Sequence, residues 1–301
     1  METLAPSQVI APFGKINVWR QADGSKKIRA YILVERPFEG AKAGVAIDGS
    51  ASMRQAYGFP AGLAGLFSNK RSGPNLVTPE ARKMCAYLAK SLDVDGQTAV
   101  IYWGTGAGSR GTEIIGDLTE AQANSFDFVG PKQFGGGATA LLPALRYFVD
   151  RFASAKWGMY IFITDGAIDD IEEVKRYTVQ LARNIESGSR PPLKFIVIGV
   201  GDQIDERQMI ALDDLDTGTS QDLWDHKIAK EMGQLAEIFA EVVDETVILA
   251  DNGIVRDAKG NAVKDYRDTG LPALLEFDLP AVAADAFTLE FGGQVVRQPL
   301  P

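Results

Sequence analysis

Gly44-Val45-Ala46-Ile47-Asp48-Gly49-Ser50-Ala51-Ser52 decides how this chain is read. Gly44 to Ile47 form an apolar run suited to a buried strand, and the run ends abruptly in a carboxylate and two hydroxyls at alternate positions. Apolar groups gain by leaving water, whereas an unpaired carboxylate loses heavily there, so the stretch must lead from a core to a partner. Either the Asp and Ser side chains cap a turn, or they hold a small hard cation.

On both sides the pattern alternates between strands and helices. Ala43 to Ile47, Thr98 to Trp103, Met159 to Thr164 and Phe195 to Val200 are short apolar runs. Met84, Cys85, Leu88, Ala89 and Leu92 share one helical face. The same spacing recurs at Leu141, Leu142, Leu145, Phe148, Val149 and Phe152, and again at Ile171, Val174, Thr178, Leu181 and Ile185. Thr78-Pro79-Glu80 reads as a helix start with Thr78 as the capping hydroxyl, and Met209 to Leu212 and Met232 to Ile248 supply the last helices. Apolar strands alternating with amphipathic helices predict a doubly wound, mostly parallel α/β sheet covered on both faces.

The two ends read differently. Ile16 to Trp19 and Ile28 to Val34 flank the turn signal Asp23-Gly24-Ser25. After residue 250, short alternating runs return around Lys259-Gly260-Asn261 and Gly292-Gly293. Neither end is long enough for its own core. Residues 1–38 and 250–301 are therefore expected to pair into a small antiparallel β-sandwich, with the α/β domain over 40–249.

Asp48, Ser50 and Ser52 fall at the C-terminal end of the first α/β strand, where open parallel sheets place their ligands. Thr139, after the flexible Gly135-Gly136-Gly137 run, and Asp165, after the buried strand ending at Thr164, reach comparable places. Two carboxylates and three hydroxyls suit Mg²⁺, with Mn²⁺ or Ca²⁺ as alternatives, better than a nitrogen- or sulfur-seeking metal.

This ordered set resembles the metal-ion-dependent adhesion site (MIDAS) of von Willebrand factor A (vWA) domains. The resemblance implies that Ser50, Ser52 and Thr139 bind the metal directly and that Asp48 and Asp165 act largely through water. It also implies a coordination position left for an Asp or Glu of a protein partner. More narrowly, Ser52-Met53-Arg54, Leu92-Asp93-Val94-Asp95-Gly96 before a strand with Trp103-Gly104, and Ala211-Leu212-Asp213-Asp214-Leu215 resemble intracellular bacterial vWA proteins of tellurium-resistance and stress-response clusters. By that resemblance the chain is expected to be a cytoplasmic, non-enzymatic, Mg²⁺-dependent protein–protein interaction module. The insertion 54–77 departs from a minimal A domain; part of it, with Tyr57, Phe59, Leu63, Leu66 and Phe67 among Arg54, Lys70 and Arg71, is expected to rim the metal face, the alternative being that it folds back over the sheet edge.

Bulk properties narrow the field. With 31 Lys and Arg against 40 Asp and Glu, the net charge of −9 argues against nucleic acid or an anionic membrane as partner. No apolar run approaches the roughly 20 residues of a membrane span, and Met1-Glu2-Thr3-Leu4 lacks signal-peptide character. One cysteine fits a reducing compartment, and one histidine rules out a cage of imidazoles. Two rival readings use the same cluster: a Mg²⁺-dependent hydrolase or phosphoryl-transfer enzyme, and a regulatory subunit of a MoxR- or chelatase-type ATPase. Against the enzyme, the chain carries no Walker loop and no general base beyond the two carboxylates. Gly106-Ala107-Gly108-Ser109-Arg110-Gly111 matches a dinucleotide fingerprint but is followed by a β pattern, so it reads as a flexible connection. His226 reads as a surface histidine near Asp222 and Asp225, Cys85 as core packing, and the acidic segment 202–251 as a solvated face.

Overall fold

The computed structural model describes residues 2–32, 40–60, 70–137, 139–166, 168–201, 204–231 and 248–301. The chain divides into two compact units, one built from Met1–Glu35 with Gly233–Pro301 and the other from Arg36–Met232.

The first unit starts with β1 (Glu2–Thr3), β2 (Phe13–Arg20) and β3 (Lys26–Ile32). β2 and β3 form the expected hairpin, with Ile16 opposite Ala30 and Val18 opposite Ile28. Asp23 closes its turn by accepting from the Ser25 amide at 2.9 Å and the Ser25 hydroxyl at 2.6 Å, while Gly24 takes φ +84°. The expected strand residues Leu33 and Val34 lie outside the described residues.

In the second unit the chain runs through β4 (Ala41–Asp48), α1 (Val77–Ser91), β5 (Gln97–Thr105), β6 (Gly111–Thr119), α2 (Glu120–Ser125) and α3 (Leu142–Arg151). It continues through β7 (Trp157–Thr164), α4 (Ile171–Glu186), β8 (Leu193–Gly199), α5 (Glu206–Asp213) and β9 (Trp224–Ile228). The six strands form one sheet in the order β6-β5-β4-β7-β8-β9. β5, β4, β7, β8 and β9 pair in parallel, and β6 is antiparallel to β5. One face buries Ala46, Ile101, Phe162 and Phe195 against Leu145 and Phe148 of α3, Val174 and Leu181 of α4 and Met209 of α5. Burial of each of the larger of these side chains contributes about 1.5–3 kcal/mol. Packing here leaves no room at Gly44, where a β-carbon would lie 2.3 Å from the Phe148 ring. α1 packs on β4, β5 and β6, and Thr98 of β5 donates its hydroxyl to the Cys85 carbonyl at 2.9 Å.

Helix α1 begins differently from expectation. Its cap is Asn75, whose Oδ1 accepts from the Val77 and Thr78 amides at 2.9 Å each. Thr78 instead donates its hydroxyl to the Phe128 carbonyl. A hydroxyl at a helix start serves whichever acceptor the fold brings near, and Asn reaches the same orphan amides from further back.

The first unit is completed by β10 (Ile248–Ala250), β11 (Ile254–Asp257), β12 (Ala262–Asp265), β13 (Leu271–Pro272), β14 (Leu274–Leu279), β15 (Ala286–Phe291) and β16 (Gln294–Pro299). Three sheets result, β1-β2-β3-β14, β12-β11-β15-β16 and β10-β13, and all their pairings are antiparallel. Their shared core sets Phe287 edge-on to Phe13 at 5.2 Å and to Phe277 at 5.0 Å.

This architecture corrects the expected fold class. The chain as a whole is mostly β and not a doubly wound parallel α/β protein of vWA type. Among the described residues, sheets of four, two and four strands are antiparallel throughout, and the six-stranded sheet carries an antiparallel edge. The alternating terminal segments account for this: they form ten of the sixteen labelled strands. The acidic stretch read as a solvated face contains a strand, β9, because Trp224 is buried against Phe195 with ring centroids 4.7 Å apart. The helix expected over Met232 to Ile248 lies outside the described residues, except that Ile248 opens β10. Leu63, Leu66 and Phe67 of the insertion also lie outside them.

Candidate metal centre

β4 delivers Asp48 to the end of the sheet with no solvent exposure. Beyond it the backbone stays in register: the Gly49 amide donates to Trp103 O at 2.8 Å, and the Gly135 amide donates to Gly49 O at 2.8 Å. The Gly135–Thr139 loop is thereby laid beside the Asp48–Ser52 loop, and Ser50 and Gly135 form a parallel bridge.

Both oxygens of Asp48 are engaged. Oδ1 accepts from the Ser50 amide at 2.7 Å, and Oδ2 accepts from the Thr164 hydroxyl at 2.8 Å. Tyr57, fully buried, donates its hydroxyl to the Asp48 carbonyl at 2.9 Å. Burial, with the charge of Asp165 added, pushes the Asp48 carboxyl up to about 7, against the opposing pull of the Ser50 and Thr164 hydrogen bonds. The Ser50 and Ser52 hydroxyl oxygens lie 3.0 Å apart, Ser50 buried and Ser52 exposed.

Gly104 shows how Thr139 joins them. It takes φ +65°, and a β-carbon there would lie 3.3 Å from Asp48 Oδ1, 3.4 Å from Thr139 Cγ2 and 3.7 Å from the Ser50 amide nitrogen. Asp48, Ser50 and Thr139 thus surround one glycine, where a β-carbon would press tightly on Asp48 Oδ1 and the positive φ adds strain. Asp48, Ser50 and Ser52 lie together, Thr139 borders the same glycine as Asp48, and Asp165 directly follows Thr164, which donates to Asp48. His226 and Cys85 belong elsewhere: the His226 ring meets Asp213, not Asp222 or Asp225, at 2.6 Å, and Cys85 is buried on α1.

The donor set is made of hard oxygens. Octahedral coordination at 2.0–2.1 Å places neighbouring oxygens about 2.9 Å apart, which the Ser50–Ser52 spacing of 3.0 Å accommodates. Among the described residues no group of three or more His, Cys, Asp or Glu side chains comes together, so hydroxyls must make up part of any shell.

Three supporting residues escaped the reading of the sequence. Thr164 looked only like a strand end, yet it orients Asp48. Gly104 entered only beside Trp103 in the narrower likeness, with no role at the site. Ser109, in the segment taken for a flexible connection, is buried with φ +48°, and its hydroxyl accepts from the Gly137 amide at 2.9 Å. A non-glycine residue in the left-handed region signals a conformation imposed by its surroundings. Next to the site lies a cleft of about 1050 Å³, lined in part by Ala51, Arg54, Phe59, Ile114 and Phe134. Arg54 stacks over the Phe59 and Phe134 rings at 4.4 and 4.7 Å, so the described part of the insertion lines this cleft.

No protein-family model matches the chain, and no curated protein matches it in sequence. Solved structures do match. The pilus adhesin SpaC from Lactobacillus rhamnosus GG, in its open conformation, is 11% identical with a TM-score of 0.39, over 95% of this chain and 46% of that one. A second form of SpaC gives 11% and 0.39 over 96% and 48%. A point mutant of the PilB minor pilin from Streptococcus sanguinis is 10% identical with a TM-score of 0.41, over 77% of this chain and 78% of that one. The chain spans about half the length of the SpaC structures. Likeness at this level carries no function across.

The resemblance to vWA domains is corrected by these findings. No family model, vWA or tellurium-resistance included, matches the chain. The reading as a Mg²⁺-dependent vWA adaptor with a MIDAS does not stand. Asp, Gly and Ser are also what any strand-to-loop turn prefers, so Asp48 to Ser52 alone is a weak signal of a family. No helix among the described residues is long and apolar enough to cross a membrane.

Proposed function

We propose that this is a non-enzymatic protein that binds one divalent cation, Mg²⁺ first and Mn²⁺ or Ca²⁺ as alternatives, at Asp48, Ser50, Ser52, Thr139 and Asp165. The observation that carries this reading is Asp48 itself. Its carboxylate is buried, held in one orientation by Thr164 and Ser50, and raised in pKa by burial and by the charge of Asp165. Two negative charges are costly at such a point, and a cation among hydroxyl oxygens offsets that cost. The ion would tie together the loops after β4, before α3 and after β7. The net charge of −9 favours a protein over a nucleic acid as partner.

Calorimetric titration of Mg²⁺ and Mn²⁺ into the protein and into Asp48→Asn tests the reading. Binding to the parent and none to Asp48→Asn is expected. Equal binding to both, or none to the parent, overturns it. Turnover of a phosphate-ester or nucleotide substrate that Asp48→Asn abolishes would overturn the non-enzymatic half.

A further inference from the structure

Thr139 is held by a residue outside its own loop. Its amide donates to Asp169 Oδ2 at 2.5 Å, and the Asp169 amide donates back to the Thr139 carbonyl at 2.8 Å. Asp170 continues the clamp: its Oδ1 accepts from the Leu141 amide at 2.8 Å and its Oδ2 from the Leu142 amide at 3.0 Å. Helix α3 has no side-chain cap of its own, and Asp170 makes no side-chain cap to α4, which it precedes. Asp170 has left the helix it adjoins in order to cap another. On the opposite side of the same segment, Gln208 of α5 accepts from the Ile168 amide at 2.6 Å and donates to the Ile168 carbonyl at 3.0 Å. The Asp205 amide of the same region donates to the Asp165 carbonyl at 2.9 Å. The segment that carries Asp165 is thus fixed to α5 on one side and to Thr139 on the other.

We infer that Asp169 is a positioning residue for Thr139, and that with Asp170 it makes Thr139 and Asp165 a single rigid half of the site. The inference deepens the cation reading and rests on it for its consequence, though the clamp itself is a matter of hydrogen bonds alone. Asp169 is exposed, so its replacement removes no core packing, whereas Asp170 is buried. Outer partners that orient a ligand typically change metal affinity 10- to 100-fold when lost.

The test compares Asp169→Ala with Asp169→Asn, whose amide oxygen still accepts from Thr139. Amide exchange of Thr139 is measured without added ion, and Mn²⁺ affinity by titration. Asp169→Ala is expected to speed Thr139 exchange at least tenfold and weaken Mn²⁺ about tenfold, with Asp169→Asn close to the parent in both. Unchanged exchange in Asp169→Ala overturns the clamp. Faster exchange with unchanged Mn²⁺ affinity overturns the positioning role, and equal losses of affinity in the two variants overturn it in favour of plain charge. Faster exchange in Asp169→Ala, with a parent protein that binds no Mn²⁺, upholds the clamp and rejects the cation reading instead.

Discussion

Thr164 donates its hydroxyl to Oδ2 of Asp48 across 2.8 Å, and both side chains are fully buried. They sit at the ends of β7 and β4, neighbouring parallel strands whose register sets Ile47 beside Ile163. The bond holds one carboxylate oxygen towards β7 and leaves the other for the Ser50 amide, so the direction in which Asp48 faces is decided by a strand 116 residues away in sequence.

Asp48 makes stability depend on pH in a defined sense. Its carboxyl is raised from 3.8 to about 7 by burial and by Asp165. The folded state therefore holds the proton more tightly than the unfolded chain, and the stabilisation is complete below the unfolded value and lost as pH rises through about 7. Urea unfolding without divalent ions, at several pH values, should show the parent losing stability relative to Asp48→Asn by on the order of 3 kcal/mol between about pH 4 and pH 8. Mg²⁺ should restore much of that loss at the high end. A difference between the two proteins that does not vary with pH would contradict the assignment.

Ser52 separates binding from folding. Its side chain is exposed, with the Ser50 hydroxyl 3.0 Å away. Ser52→Ala is expected to leave the unfolding free energy within about 0.5 kcal/mol of the parent while weakening Mg²⁺ at least tenfold by calorimetry.

Gly104 and Gly106 form a matched pair of tests. Both adopt positive φ, +65° and +77°, but only at Gly104 does a β-carbon meet Asp48 and Thr139; at Gly106 nothing lies within 4 Å. Gly106→Ala should cost about 1 kcal/mol, the backbone strain alone. Gly104→Ala should cost more and abolish ion binding. Equal effects in thermal unfolding would mean that the crowding at Gly104 is relieved elsewhere.

Trp224 anchors β9 through one buried hydrogen bond. Its indole N–H donates to the Thr178 hydroxyl at 3.0 Å, and that hydroxyl donates in turn to the Val174 carbonyl at 2.9 Å. Thr178→Val keeps the volume but leaves the indole unpaired, which should cost about 1–3 kcal/mol in chemical denaturation.

Much of the local structure was legible. Asp23-Gly24-Ser25 turns as read, because an Asp carboxylate next to a glycine closes its own turn in either state of the chain. The helical faces of α3 and α4 also fall where their apolar spacing puts them. Caps were less legible. Thr78 and Asp170 each stand where a capping residue belongs, yet one bonds to Phe128 and the other to α3. Short polar side chains choose among several acceptors and donors of similar energy, and packing decides which is in reach.

By itself, the sequence determined where strands and helices form and that Asp48, Ser50 and Ser52 leave a strand together, since periodicity and spacing are local properties. Tertiary structure alone decided which terminal strands pair with which, and it alone set Thr164 under Asp48, Thr139 across Gly104, and Asp169 on Thr139. Each of these depends on which strands pair and in what register, and register is fixed by the packing of a whole face, not by the residues that meet there.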